Sequence, residues 1–148
     1  MKTEIERKFL VIGTGFKIQA SKCYHILQGY LSKDPERTVR VRIKDKEGWL
    51  AIKGKRNTAG TRILEWETPI PLEEAKSLLR LALDKPIEKI RYVIAQDSLS
   101  FEVDEFLSPN KDLILAEIKL PTENTPFQKP QLLGQEVTGD PSYYNAMM

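Results

Sequence analysis

Charged residues recur at every second position through most of this chain. Glu4, Glu6 and Lys8 form one such set, Arg40, Arg42 and Lys44 a second, and Lys53 with Lys55 a third. Glu65 with Glu67, Lys89 with Arg91, Glu102 with Asp104, and Glu117 with Lys119 follow. In an extended strand, residues i and i+2 project from one face roughly 6.6 to 7 Å apart, so each set is a row pointing one way. The rows also sort by sign, with acids at 65–67 and 102–104 and bases at 40–44, 53–55 and 89–91. Like charges at this spacing gain nothing structurally. They make sense when a row faces a ligand, or a row of opposite sign across an enclosed space. The chemistry that uses both signs together is phosphoryl transfer. Arg and Lys hold phosphate oxygens, while carboxylates hold a hard divalent cation that bridges those oxygens and the attacking water.

The elements that would carry these rows are strands. Apolar residues alternate with the charged ones, which predicts strands near Thr3 to Val11, Cys23 to Leu31, Glu36 to Lys44, Gly48 to Lys55, Thr61 to Thr68, Glu88 to Ala95, Ser100 to Phe106 and Asp112 to Leu120. Seven of these eight carry a charged row, and the second shows Gln28 and Tyr30 instead. Turn residues separate them, as in Ser32-Lys33-Asp34-Pro35, Asp45-Lys46-Glu47-Gly48 and Asn57-Thr58-Ala59-Gly60. Short connections imply antiparallel neighbours. After Pro71, the residues Leu72, Ala75, Leu78 and Leu79 predict a helix with one apolar face, and Asp140-Pro141 predicts the start of a short one running to Met148. The faces opposite the charged rows, including Ile5, Phe9, Val41, Ile52, Trp66, Ile90, Phe101, Val103 and Ile118, are apolar and need cover. Alternation alone fits an antiparallel sandwich with a solvated charged face as well as it fits a closed barrel.

Length and composition narrow the class. A chain of 148 residues is of one-domain size, expected to bury roughly 70% of its unfolded surface. With 41% hydrophobic and 30% charged residues it is neither disordered nor low in complexity. A net charge of +2 from mixed signs suggests neither a nucleic-acid-coating surface nor a polybasic membrane anchor. The single cysteine, Cys23, makes no internal disulfide, and the acidic start Met1 to Glu6 lacks the apolar region of a signal peptide. A cytoplasmic protein with no membrane span is expected. His25, the only histidine, falls on the opposite parity from Tyr30 and is expected to face outward, while Cys23 reads as packing. No zinc-ligand spacing and no glycine-rich phosphate loop is present.

The opening Glu4-Ile5-Glu6-Arg7-Lys8 resembles the Glu-x-Glu-x-Lys signature of the CYTH superfamily, the triphosphate tunnel metalloenzymes. The likeness continues in order through Gln28-Gly29-Tyr30-Leu31, Arg40-Val41-Arg42, Ile52-Lys53, Glu65-Trp66-Glu67, Glu88 to Tyr92, Glu102-Val103-Asp104 and the run from Gly134 to Asn145. It is closest in kind to the short bacterial members, related to inorganic triphosphatases, thiamine triphosphatases and class IV adenylate cyclases. The resemblance implies a mainly β (α+β) fold, an eight-stranded closed antiparallel barrel with a few covering helices. It implies one domain over residues 1–148, a lumen that binds a triphosphate, and Mg²⁺ or Mn²⁺ as cofactor. Carried over by position, Glu4, Glu6 and Glu117 would ligate metal, and Arg40, Arg42, Lys53, Lys89 and Arg91 would hold phosphates. Lys8 and Tyr30 would move protons, and Glu65, Glu67, Glu102 and Asp104 would be further tunnel acids.

One position departs from the pattern. The last strand of the family carries a second Glu-x-Glu, where this chain has Glu117-Ile118-Lys119. A charged lysine cannot ligate metal, so metal affinity is expected to fall. Lys119 could instead reach a phosphate oxygen, pair with Glu117 or a neighbouring acid, or mark a non-catalytic member. The leading expectation is a metal-dependent hydrolase of inorganic tripolyphosphate or a small organic triphosphate, acting as a monomer or homodimer with no nucleic-acid or membrane partner. The alternatives are a class IV adenylate cyclase, a triphosphate- or polyphosphate-binding module weakened by Lys119, and a structural β domain.

Overall fold

The alternation is realised as nine strands in the computed structural model, which describes residues 1–148. They are β1 (Lys2–Val11), β2 (Lys22–Asp34), β3 (Arg37–Lys44), β4 (Glu47–Gly54), β5 (Arg62–Ile70), β6 (Ile87–Gln96), β7 (Leu99–Ser108), β8 (Ile114–Lys119) and β9 (Leu133–Glu136), with helices α1 (Phe16–Gln19) and α2 (Leu72–Leu79). Neighbours run β5-β4-β3-β2-β6-β7-β8-β1, and β1 pairs back onto β5. Eight antiparallel strands therefore close a barrel. The seam is shared, since β1 pairs β5 over Lys2 to Ile5 and then takes the short β9 opposite Phe9 and Val11.

All eight expected strands are present. β2 extends to Asp34, through residues whose composition predicted a turn, because a tighter reversal at Pro35-Glu36 suffices. There Asp34 Oδ1 accepts from the Glu36 amide at 2.9 Å, and Ser32 Oγ donates to the Arg37 carbonyl at 2.8 Å. The expected C-terminal helix is instead two 3₁₀ turns, Pro141–Tyr143 and Asn145–Met147, separated by the extended Tyr144. Asp140 is its expected cap, accepting from the Ser142 amide at 3.0 Å. α1 and β9 were not anticipated.

Apolar faces point outward from the barrel and are covered in two places. α2 lays Ala75 and Leu79 on Val41 and Ile43. Gly29 permits this approach, since a Cβ there would stand 2.9 Å from the Ala82 Cβ. On the far side, Phe9, Ile94, Phe101, Val103, Ala116 and Ile118 are covered by Phe16 of α1 and by Leu120, Leu132 and Leu133. Phe127 adds edge contacts to Phe9 and Phe101 at centroid distances of 6.2 and 6.0 Å. Trp66, expected among the covered residues, is 40% exposed because neither layer reaches β5 there. A third cluster, Tyr30, Ile87, Phe106, Leu115 and Val137, closes one end of the lumen, and the C-terminal residues Tyr143, Ala146 and Met148 pack on it. No helix is long and apolar enough to cross a membrane.

Candidate active site in the barrel lumen

Strand order converts the rows into a polarised tunnel. Around the barrel, β7, β8, β1 and β5 are contiguous and carry Glu102, Asp104, Glu117, Glu4, Glu6, Glu65 and Glu67. β4, β3, β2 and β6 make the opposite wall, with Lys53, Arg40, Arg42, the neutral Gln28 and Tyr30, then Lys89 and Arg91. Glu4, Glu6, Lys8, Gln28, Arg40, Glu65, Lys89, Arg91 and Asp104 are all buried.

Where the walls meet, opposite charges stand in register and pair. Arg91 faces Asp104 and grips it through Nε at 2.8 Å and Nη2 at 2.9 Å, while Lys89 Nζ lies 2.8 Å from the same carboxylate. Lys53 faces Glu65 and reaches Glu4 at 3.1 Å and Glu65 at 3.5 Å. Burial alone would raise the Asp104 carboxyl, but Arg91 and Lys89 hold it well below the usual carboxylate range. Burial pushes the Lys89 ammonium down to about 7 even beside Asp104.

Other groups are less evenly matched. Arg42 donates Nε and Nη2 to the neutral Gln28 Oε1 at 2.9 and 2.7 Å, and no carboxylate touches it. Burial, then Arg40 and Arg91, lowers it to about 9. The buried Arg40 Nε has no partner, and the nearest carboxylate, Glu67, is 3.6 Å from its Nη2. On the acidic wall, Glu6 and Glu117 share a hydrogen bond. Burial and the Glu117 charge raise Glu6 to about 8, while Glu117, despite burial, is held well below its ordinary value by Lys8 and by the bond with Glu6. Glu4 and Glu65 share a hydrogen bond likewise, and Glu65 Oε2 has no hydrogen-bond partner. The lumen thus has one arginine without a carboxylate, Arg42, and a loosely paired Arg40 on one wall, and carboxylates forced together on the other.

Two cavities, of about 250 and 280 Å³, meet at a waist formed by Glu6, Arg40, Arg42, Lys53, Arg91 and Glu117. The first also holds Lys8, Tyr30 and Lys89, and the second Glu4, Glu65, Glu67, Glu102 and Lys119. The structure therefore gathers the expected site residues in one lumen, with Asp104 just behind Arg91 and Lys89. Lys8 and Tyr30 line the same cavity, but Lys8 donates to the Tyr143 carbonyl at 3.0 Å rather than to Tyr30. Lys119 pairs with Glu4 at 3.1 Å and Glu102 at 3.6 Å, not with Glu117. His25 faces outward as expected, against Glu88, whereas Cys23 is exposed rather than packed.

Sequence reasoning missed the residues that arrive outside the strand rows. Arg56, on the β4–β5 loop, donates to Glu6 at 3.2 Å and lies 4.3 Å from the Tyr144 ring centroid. Asn145 Oδ1 accepts from Gln28 Nε2 and from Lys89 Nζ, each at 2.9 Å. Parity gives no signal for either, since it ends where the strand ends. The loops are brought together by Gly60 and Gly139, at φ of +76° and +79°, where a Cβ on Gly60 would sit 2.3 Å from the Gly139 Cα.

A family model described as the CYTH domain matches residues 2–144. The chain belongs to the CYTH family. This CYTH protein is 44% identical, over 99% of its length and 92% of the relative's, to a protein of Acetivibrio thermocellus named inorganic triphosphatase. Among solved structures, that of an inorganic triphosphatase superposes with a TM-score of 0.67 at 30% identity, covering 99% of this chain and 94% of the other. A Hippeastrum adenylyl cyclase candidate, described as revealing a dominant triphosphatase activity, shares the fold at a TM-score of 0.64 and 13% identity, with 80% of each chain covered.

CYTH membership implies a divalent metal requirement, and the acidic wall fits one. Glu6 and Glu117 are crowded enough to share a proton, which a divalent ion between them would replace. No three Asp, Glu, His or Cys side chains converge as a ready cage. Such an ion would therefore complete its coordination with water and substrate oxygens, as Mg²⁺ prefers.

Proposed function

We propose that this CYTH protein hydrolyses a phosphoric anhydride bond of inorganic tripolyphosphate or a small organic triphosphate held in the tunnel. The observation that carries the reading is Arg42, a half-buried guanidinium with no carboxylate partner, at a waist whose opposite side is the Glu6–Glu117 pair. A polyphosphate lying there would bring negative charge to Arg42, Arg40 and Arg91, and phosphate oxygens to an ion on the carboxylates. The name of the Acetivibrio relative supports hydrolysis over cyclisation, which makes the cyclase alternative the less favoured.

The chain's own residues supply binding and proton transfer. Arg40 and Arg42 are planar donors suited to bidentate grip on a phosphate, and Lys53, Lys89 and Arg91 extend the contact along the chain of phosphates. A divalent ion, Mg²⁺ or Mn²⁺, held by Glu6 and Glu117 would supply charge neutralisation at the transferring phosphoryl group. Tyr30 and Lys8, which line the cavity on the Tyr144 side of the waist, would take the proton of the attacking water and return it to the leaving phosphate. Asp104 orients Arg91 and Lys89 from behind. The protein is taken to act in the cytoplasm as a single domain, a monomer or homodimer with no nucleic-acid or membrane partner.

Phosphate release from tripolyphosphate, ATP and thiamine triphosphate, each with Mg²⁺, Mn²⁺ or chelator, tests this. Release that needs the metal is expected for at least one substrate. No release from any of them overturns the reading, and cyclic AMP from ATP would replace hydrolysis by cyclisation.

A further inference from the structure

The acidic wall is not uniform in what balances it. Lys119 Nζ stands between Glu4 Oε1, at 3.1 Å, and Glu102 Oε1, at 3.6 Å. Lys53 takes the other Glu4 oxygen at 3.1 Å. Register would place Lys119 opposite Glu6, yet its side chain leans away to the Glu4–Glu102 position. Its stem is half exposed while the buried Glu4 receives its head. Glu6 and Glu117 differ: Arg56 touches only the Glu6 Oε1 edge, at 3.2 Å, and Glu117 has no salt bridge.

We propose that Lys119 is a built-in cation at the Glu4–Glu102 position, so that this chain takes one divalent ion, at Glu6 and Glu117, and has no room for a second. The inference deepens the hydrolase reading and rests on it. An ammonium has three donors and no lone pair, so it satisfies carboxylates without serving as a ligand. A metal ion entering between Glu4 and Glu102 would have to displace Nζ and remain beside it against like-charge repulsion next to the buried Glu4 carboxylate. Glu4 then acts as a positioning residue. It holds Lys53 and Lys119 at their places on the wall, and metal ligation falls to its neighbour two residues on.

Counting bound Mn²⁺ by electron paramagnetic resonance, with Mn²⁺ as the only ligand, tests the proposal without reference to turnover. The wild-type chain is expected to bind one ion, and Glu6→Gln to weaken it by more than about tenfold. Glu4→Gln should keep one ion, and Lys119→Glu should bind two. Two ions on the wild-type chain, or loss of the ion in Glu4→Gln, overturns the proposal, and these counts decide even if Lys119→Glu fails to fold. A folded Lys119→Glu chain that still binds one ion overturns it as well. Metal-dependent phosphate release alongside a wild-type count of two would remove the built-in cation and leave the hydrolase reading standing. No bound Mn²⁺ on the wild-type chain overturns the built-in-cation proposal, and absence of phosphate release overturns the hydrolase reading separately.

Discussion

Arg42 is held by an amide where a carboxylate would have fitted, and that choice keeps its charge available. Gln28→Glu should give Arg42 a buried counter-charge. The expected outcome is a KM for tripolyphosphate raised by about tenfold or more, corresponding to about 1.4 kcal/mol, together with a higher melting temperature. An unchanged KM would show that Arg42 does not meet the substrate. Lys89 makes a second prediction, with its sign fixed by burial. Its ammonium titrates at about 7 in the free protein, so it is largely neutral at pH 8. A bound polyanion favours the charged form and raises that value, so binding should take up a proton. Calorimetry of tripolyphosphate binding at pH 8, with chelator and in two buffers of different ionisation enthalpy, should show this uptake in the wild-type chain. It should be smaller in Lys89→Met, and equal uptake in both proteins would refute the assignment. These residues were legible as rows because strand parity is rigid. Arg56 and Asn145 were not, because loops carry no period.

At the level of elements, the seating of α2 depends on a missing side chain. In Gly29→Ala the new Cβ would meet Ala82 Cβ at 2.9 Å and Leu79 Cδ2 at 3.2 Å. Overpacking of this kind costs about 1–3 kcal/mol, which at about 2–4 °C per kcal/mol lowers the melting temperature by several degrees. Thermal denaturation with no change would mean that α2 can lift without cost. The eight barrel strands were readable because each repeats its alternation several times. β9 has four residues and α1 four, too few for a period to emerge. Both are fixed by what they cover or pair with: Leu133 and Phe16 are buried in the layer over β7 and β8. The C-terminal turns follow the same logic, since Asn145 is placed by Gln28 and Lys89 more than by helical propensity.

Across the whole molecule, the separation of charge into two walls follows from strand order. The sorting of rows by sign was visible in the chain. The contiguity of β7, β8, β1 and β5 was not, because period-two patterning says nothing about which strand lies beside which. A ligand that neutralises the basic wall should tie the barrel together. At 100 times its dissociation constant, tripolyphosphate should add about 2.7 kcal/mol, or roughly 5–10 °C in melting temperature. No shift at saturating concentration would argue that the lumen does not take the anion. The pairing of β1 also has a consequence for the order of assembly. β1 leaves the ribosome before the other strands, yet it pairs with residues as late as Lys119 and Glu136. The meander from β2 to β5 and the hairpin of β6 and β7 can form while synthesis continues, but until β8 and β9 emerge β1 has only the Arg62–Glu65 edge to bind. A stalled or truncated chain would thus be an open sheet with unpaired edges, exposed to association with other chains.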